Sequence, residues 1–258
     1  MTRGSALTWS SENHHIGRAD GAVRLIDALS QLPLEPNERV MFWGHSHAGN
    51  VFALISNLIS GDLDGVMSFF HAARLYYQTA VRRAIDRPYW NHVRQWLTSR
   101  QPRIDPRQID FVTFGTPIRY GWHPAGWGRL LHFVFHRPYD EQRWYLGKFP
   151  PTLAEVMSAA GGDYVQQLAI AGTNTAPGIL AFRSWLSDLR LNRLVQQGIS
   201  FRDLVPRLRR GHRIADAGTT VLIDYGEQSS NVVEHLAGHV LYTQCERMLL
   251  HAELVTKY

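Results

Sequence analysis

The sequence predicts an α/β protein built on a mostly parallel sheet flanked by helices, and three stretches carry that prediction. Arg39-Val40-Met41-Phe42-Trp43 is a short apolar run, the pattern of a strand buried on both faces. It stops at Gly44 and turns through Ser46 into a helix whose Val51, Leu54, Ile55 and Leu58 recur at i, i+3, i+4 and i+7. Ile109-Asp110-Phe111-Val112-Thr113-Phe114 is a second buried-strand pattern. With the helix between them, the two runs form a βαβ unit, which implies parallel strands and a right-handed crossover. Thr219-Thr220-Val221-Leu222-Ile223-Asp224-Tyr225-Gly226, β-branched and apolar before its aspartate, predicts the last strand.

The other elements follow in chain order. Residues 1 to about 15 are polar and read as a loop. A helix follows with Ala22, Leu25, Ile26 and Leu29 on its apolar stripe and Asp27 and Gln31 outward. Pro33 and Pro36 break it before the first strand. After the apolar helix, Gly61-Asp62-Leu63-Asp64-Gly65 is a turn; Asp62 and Asp64 have no third ligand at useful spacing and read as a solvated turn and helix start. A helical region from about Val66 to Leu97, interrupted at Arg87-Pro88, carries aromatic residues at helical spacing, which is a packing pattern. Residues 118 to 131 are rich in Gly, Trp and His and suit an irregular cleft wall, with a short strand at 130–135. Residues 138 to 160 read as loop and short helix. Tyr164 to Asn174 reads as a further strand ending in a Gly-Thr turn. From about Phe182 to Arg213 the chain is helical and basic, an apolar stripe beside arginines. Leu241 to Val255 closes it as an amphipathic helix.

With 258 residues, 45% hydrophobic and 19% charged, the chain has the composition of a globular domain able to bury a sizeable core. The formal net charge of +5 permits an anionic lipid surface or acidic partner. No zinc-finger spacing, RNP-like motif or helix-turn-helix signature points to nucleic acid. Cys245 is the single cysteine, so no internal disulfide can form, and it reads as a small packed residue. No apolar run approaches the ~20 residues that cross a bilayer, and the N-terminus has no apolar signal core. The expectation is a soluble cytoplasmic protein.

Set between strand and helix, Gly44-His45-Ser46-His47-Ala48-Gly49 resembles the G-x-S-x-G nucleophile elbow of the α/β-hydrolase fold, as in lipases and esterases. Ala48 replaces the second motif glycine, with Gly49 just behind it. Ile109 to Pro117 resembles the lipase-type strand that ends in a Gly-Thr-Pro turn. The resemblance covers about 39–60, 109–117 and 219–243. It implies a single α/β-hydrolase-like domain over 1–258, with lid-like helical insertions around 66–100 and 176–215. The early strands of that fold are missing, since residues 1–38 read mostly as helix and loop. The chain is then shortened, its sheet is reduced, or a partner completes it.

The resemblance also implies a Ser-acid-His order with the histidine after the last strand. Ser46 is the expected nucleophile and His239 the expected base; His235, one turn earlier, is the runner-up. The acid is expected at Asp224, which ends the last strand before His239. The position after the penultimate strand is occupied by Asn174, which cannot carry the charge that stabilises imidazolium, and Asp140 is a third option. The His47 N–H is the expected oxyanion-hole donor, with a second from the Trp9 to His14 loop. The His45 and His47 side chains are expected to line the cleft or bond neighbouring loops. No cofactor or metal is implied.

The function expected is a serine hydrolase acting on carboxylic esters. Cleft aromatics and the basic amphipathic region favour lipid or acyl esters and allow peripheral membrane contact. Two rivals from other classes are a non-catalytic hydrolase-like scaffold that keeps the elbow as architecture, and a membrane-surface adaptor using residues 183–213.

Overall fold

A computed structural model of the protein describes residues 4, 6–78, 87–99, 104–117, 119–139, 143–169, 176, 178–192, 194, 213–229 and 231–258. Four strands form one sheet: β1 (Val40–His45), β2 (Ile109–Phe114), β3 (Arg129–Phe135) and β4 (Thr219–Ile223). They lie in the order β1-β2-β3-β4 and every pairing is parallel. The register sets Gly44 beside Thr113 and His45 beside Phe114. The carboxyl ends of β1 and β2 therefore finish level, and the segments leaving them meet.

The helices are α1 (His15–Ser30), α2 (Ala48–Ile59), α3 (Leu63–Tyr77), α4 (Pro88–Thr98), α5 (Leu153–Met157), α6 (Tyr164–Ala169), α7 (Phe182–Leu191), α8 (Val232–His235) and α9 (Cys245–Lys257). Asp62 caps α3, its Oδ1 accepting from the Gly65 N–H at 3.0 Å, so the Asp62–Asp64 turn is a helix start. Strand periodicity divides the core in two. Ile109 and Phe111 join the apolar faces of α1 to α4, whereas Val112 and Phe114 pack with Leu131, Phe133, Phe135, Ile223 and Val255 on the opposite face. Among the described residues no helix is long and apolar enough to cross a membrane.

The structure corrects four expectations. Of the two strands read as buried on both faces, β2 is buried along its whole length and β1 is not. β1 is a sheet edge: Phe42 packs on Phe52 and Phe111, but Met41 and Trp43 are 39% and 38% exposed. Tyr164 to Ala169 is helix α6, because the Asp163 carboxylate accepts from the Gln166 N–H at 2.8 Å and caps a helix there, while β4 occupies the place beside β3. Cys245 opens α9 and is exposed. Arg213, read as one of the arginines beside an apolar helical stripe, is instead fully buried, donating to the Asp163, Gly161 and Gln166 oxygens. The rest of the basic stretch, from Val195 through Leu204 to Arg210, lies outside the described residues, as do Asp140 and Asn174.

Candidate active site

The segment leaving β1 reverses direction within two residues. Ser46 has φ of +58°, the left-handed region, where a side chain with a Cβ stores roughly 1–3 kcal/mol of strain. The strained residue is held on both sides. Its N–H donates to the Phe114 carbonyl at 2.9 Å, and its carbonyl accepts from the Thr116 hydroxyl at 2.8 Å. Two glycines make room for the turn. A Cβ on Gly44 would lie 2.5 Å from the Phe52 ring, and one on Gly49 would collide with the Thr116 side chain. Ala48 in the second motif position is tolerated because the closest approach falls on Gly49. The Gly115-Thr116-Pro117 turn after β2 is thus one wall of the elbow.

His239 arrives from the far end of the chain. After α8 the backbone passes through three consecutive left-handed residues, Leu236, Ala237 and Gly238, with φ of 44°, 53° and 88°. A Cβ on Gly238 would stand 2.6 Å from the Gly162 carbonyl, so the loop presses closely on the segment before α6. The His239 carbonyl accepts from His45 Nε2 at 2.7 Å, with the two rings 4.5 Å apart. His239 Nε2 lies 2.8 Å from Ser46 Oγ and its Nδ1 lies 2.8 Å from Asp163 Oδ2. A carboxylate at Nδ1 assigns that nitrogen the proton and leaves Nε2 free to accept from the serine hydroxyl.

Asp163 is completely buried. Besides His239, it accepts from the Gln166 N–H on Oδ1 and from the Tyr242 hydroxyl at 3.0 Å on Oδ2. The structure therefore brings Ser46 and His239 together, as the sequence predicts, but joins them to Asp163 rather than Asp224. Asp224 faces away at the end of β4. Its side chain is half-exposed, 3.3 Å from Arg137 Nε and accepting from the Gly226 N–H. His235 is structural: its Nδ1 accepts from the Gly238 N–H at 3.1 Å and its Nε2 donates to the Ser229 carbonyl at 3.0 Å. It shapes the loop that delivers His239.

His47 precedes α2 as its N-cap residue. Its ring meets the Trp9 indole edge-on at 5.3 Å and bonds the Ser11 backbone, so the Trp9 to His14 loop does lie against the elbow. Burial, then the charge of nearby Arg18, pulls the His47 imidazole down to about 4; burial also lowers His45, with His239 adding to it. Both rings flanking Ser46 are accordingly neutral near pH 7. No group of three or more His, Cys, Asp or Glu residues able to hold a metal occurs among the described residues.

Two site residues escaped the sequence reading. Asp163 followed by Gln166 is the cap signature of a helix start, an acidic cap with glutamine three residues on. Reading 164–174 as a strand hid that signal and set the usual acid position at Asn174, at the other end of the segment, which left Asp224 as the expected acid. Tyr242 had no signal of its own, since a tyrosine in an amphipathic stretch reads as packing. Comparison of the chain with protein-family models, with curated proteins and with solved structures gives no match to any of them.

Proposed function

We infer that this protein is a serine hydrolase that cleaves carboxylic esters through Ser46, His239 and Asp163. The observation that carries the reading is the pair of 2.8 Å contacts joining hydroxyl, imidazole and buried carboxylate, beside a serine strained at φ +58°. In this reaction His239 Nε2 takes the Ser46 proton as Oγ attacks the ester carbonyl carbon. Asp163 keeps the imidazole in the receptive tautomer and stabilises the imidazolium that forms. The His47 N–H donates to the oxyanion of the tetrahedral intermediate. His239 then protonates the departing alkoxide, and the acyl-serine is hydrolysed by water activated on the same nitrogen. The substrate class favoured is a lipid or other acyl ester. Exposed Ile179, Leu180 and Phe182 at the entry to α7 offer an apolar surface for it and for peripheral membrane contact.

A fluorophosphonate probe tests the reading. The expected result is covalent capture on Ser46 in the wild type and none in Ser46→Ala, together with ester turnover that the substitution abolishes. No capture in the folded wild type, or capture that survives Ser46→Ala, overturns it.

One observation favours a second reading, a hydrolase-like scaffold whose sheet is completed by a partner. Among the described residues no strand pairs with the outer edge of β1, and Met41 and Trp43 lie exposed along it. An inert Ser46 toward the probe, with a partner protecting β1 amides from hydrogen exchange, is the outcome that reading expects.

A further inference from the structure

The geometry points to Tyr242 as a positioning residue: its phenol fixes the Asp163 carboxylate to the sheet and tempers the pull of that carboxylate on the His239 Nδ1 proton. The inference rests on the triad reading above. Tyr242 lies in the 3-10 turn Val240–Thr243, three residues beyond the base, and is buried. Its oxygen is 2.8 Å from the Phe135 N–H and 3.0 Å from Asp163 Oδ2. The directions are fixed by chemistry. An amide N–H only donates, so the phenol oxygen accepts at Phe135; a carboxylate only accepts, so the phenol proton goes to Asp163. Phe135 ends β3, and the chain of bonds runs from strand to phenol to carboxylate to imidazole. The phenol and the imidazole share one oxygen, Oδ2.

Sharing has a consequence. A donor on Oδ2 withdraws negative charge from the atom that holds the imidazole proton, so the carboxylate stabilises imidazolium less than it would alone. Burial, with the Asp163 charge adding to it, pushes the phenol well above its ordinary range, which keeps it a proton donor through neutral and alkaline pH. The ring and the carboxylate both pack closely on the Gly115 backbone. A Cβ on Gly115, where φ is +57°, would lie 2.6 Å from both Asp163 Oδ2 and Tyr242 Cε2. Among the described residues, the following titratable and charged groups face this unit. His45 stands 5.6 Å from the Tyr242 ring and Tyr225 5.7 Å, His47 lies beside His239, and the Arg213 guanidinium bonds the main chain behind the acid.

The test measures wild type, Tyr242→Phe, and protein carrying 3-fluorotyrosine at 242, whose phenol is the stronger donor. Tyr242→Phe is expected to lower kcat by about tenfold with KM within about twofold. The acid limb of its kcat/KM profile should move to higher pH by about half to one unit, since one unit corresponds to a tenfold change in proton affinity. The titration midpoint of the His239 ring, followed by 15N NMR in the resting protein, should move the same way, and 3-fluorotyrosine should move it the opposite way. His239 midpoints unchanged in both proteins, or a loss of stability in Tyr242→Phe with no movement of the limb, would overturn the inference. Should Tyr242→Phe fail to fold, the near-isosteric 3-fluorotyrosine protein decides alone. A wild type inert to esters and probe removes the triad reading, whereas the NMR midpoints still judge the role of Tyr242, so the two failures are distinct.

Discussion

At the scale of single residues, the assignment of the acid makes the sharpest demand. Asp163 and Asp224 both precede His239 in the chain, yet only Asp163 touches it, while Asp224 is engaged with Arg137 at the protein surface. In Asp163→Asn the amide can offer an N–H toward His239 Nδ1, which drives the imidazole proton to Nε2 and blocks acceptance from Ser46. Loss of kcat by about 10⁴ is expected where an oriented base is forced into the wrong tautomer. Asp224→Asn should keep kcat within about twofold, because an exposed ion pair contributes roughly 0–1 kcal/mol. Steady-state ester kinetics on the two variants decides the matter, and the reverse ranking would restore Asp224. The serine and the histidine were readable because their surroundings are local: glycines about a hydroxyl, and Gly238 just before His239. The acid was not, because its role depends on a carboxylate meeting a histidine 76 positions away. The only local trace of Asp163 was its capping of α6.

Elements determine whether those residues meet at all. The elbow depends on α2 lying almost on top of the Gly115-Thr116-Pro117 turn, an approach that only Gly49 allows. Gly49→Val should force α2 off Thr116 and break the hydroxyl bond that holds the Ser46 carbonyl. Overpacking of this kind costs about 1–3 kcal/mol. For a chain of this size each kcal/mol lowers Tm by roughly 2–4 °C. Calorimetry should show that fall, and the rate of fluorophosphonate capture should drop more than stability alone explains. Capture at the wild-type rate would mean the elbow tolerates the wider spacing. The strands flanking the elbow were legible as continuous apolar runs, and so was the parallel crossover between the first two. The edge position of β1 was not, because an apolar run records which residues can be buried, not whether a neighbour arrives to bury them. Met41 and Trp43 have strand composition and stay exposed. The segment 164–169 failed for the opposite reason: its β-branched and aromatic residues suit a strand, but the Asp163 cap fixes a helix turn that propensity did not foresee.

At the scale of the whole molecule, the interior histidines predict an acid sensitivity of the fold. Burial pulls His132, His136 and His251 down to about 4, with the charge of Arg213 adding to the effect at His136 and that of Arg247 at His251. These rings tie the sheet to its surroundings. His132 bridges Thr113 and the Ala217 carbonyl, His136 bonds the Trp144 carbonyl, and His251 pairs with Tyr225 at 2.6 Å while its ring packs on Phe114. In the unfolded chain such rings titrate near 6.5. Between pH 6.5 and 4 the unfolded state therefore binds more protons than the folded one. The stability these residues contribute is complete above pH 6.5 and is lost as the pH falls through that window. Each unit of difference is worth about 1.4 kcal/mol per group, so fully buried His132 alone can withdraw up to roughly 3 kcal/mol by pH 4. Set against a total stability of about 5–15 kcal/mol, such a loss is a large fraction of what holds the protein folded. Urea unfolding followed by circular dichroism at pH 7.5, 6, 5 and 4.5 should give midpoints that fall steadily below pH 6.5. Replacing one of the three rings by a non-titrating one, His251→Phe, should lower the midpoint at pH 7.5 through the lost Tyr225 bond yet flatten its dependence on pH. A wild-type midpoint constant between pH 6.5 and 5, or a slope that His251→Phe leaves unaltered, would place the acid sensitivity elsewhere in the molecule.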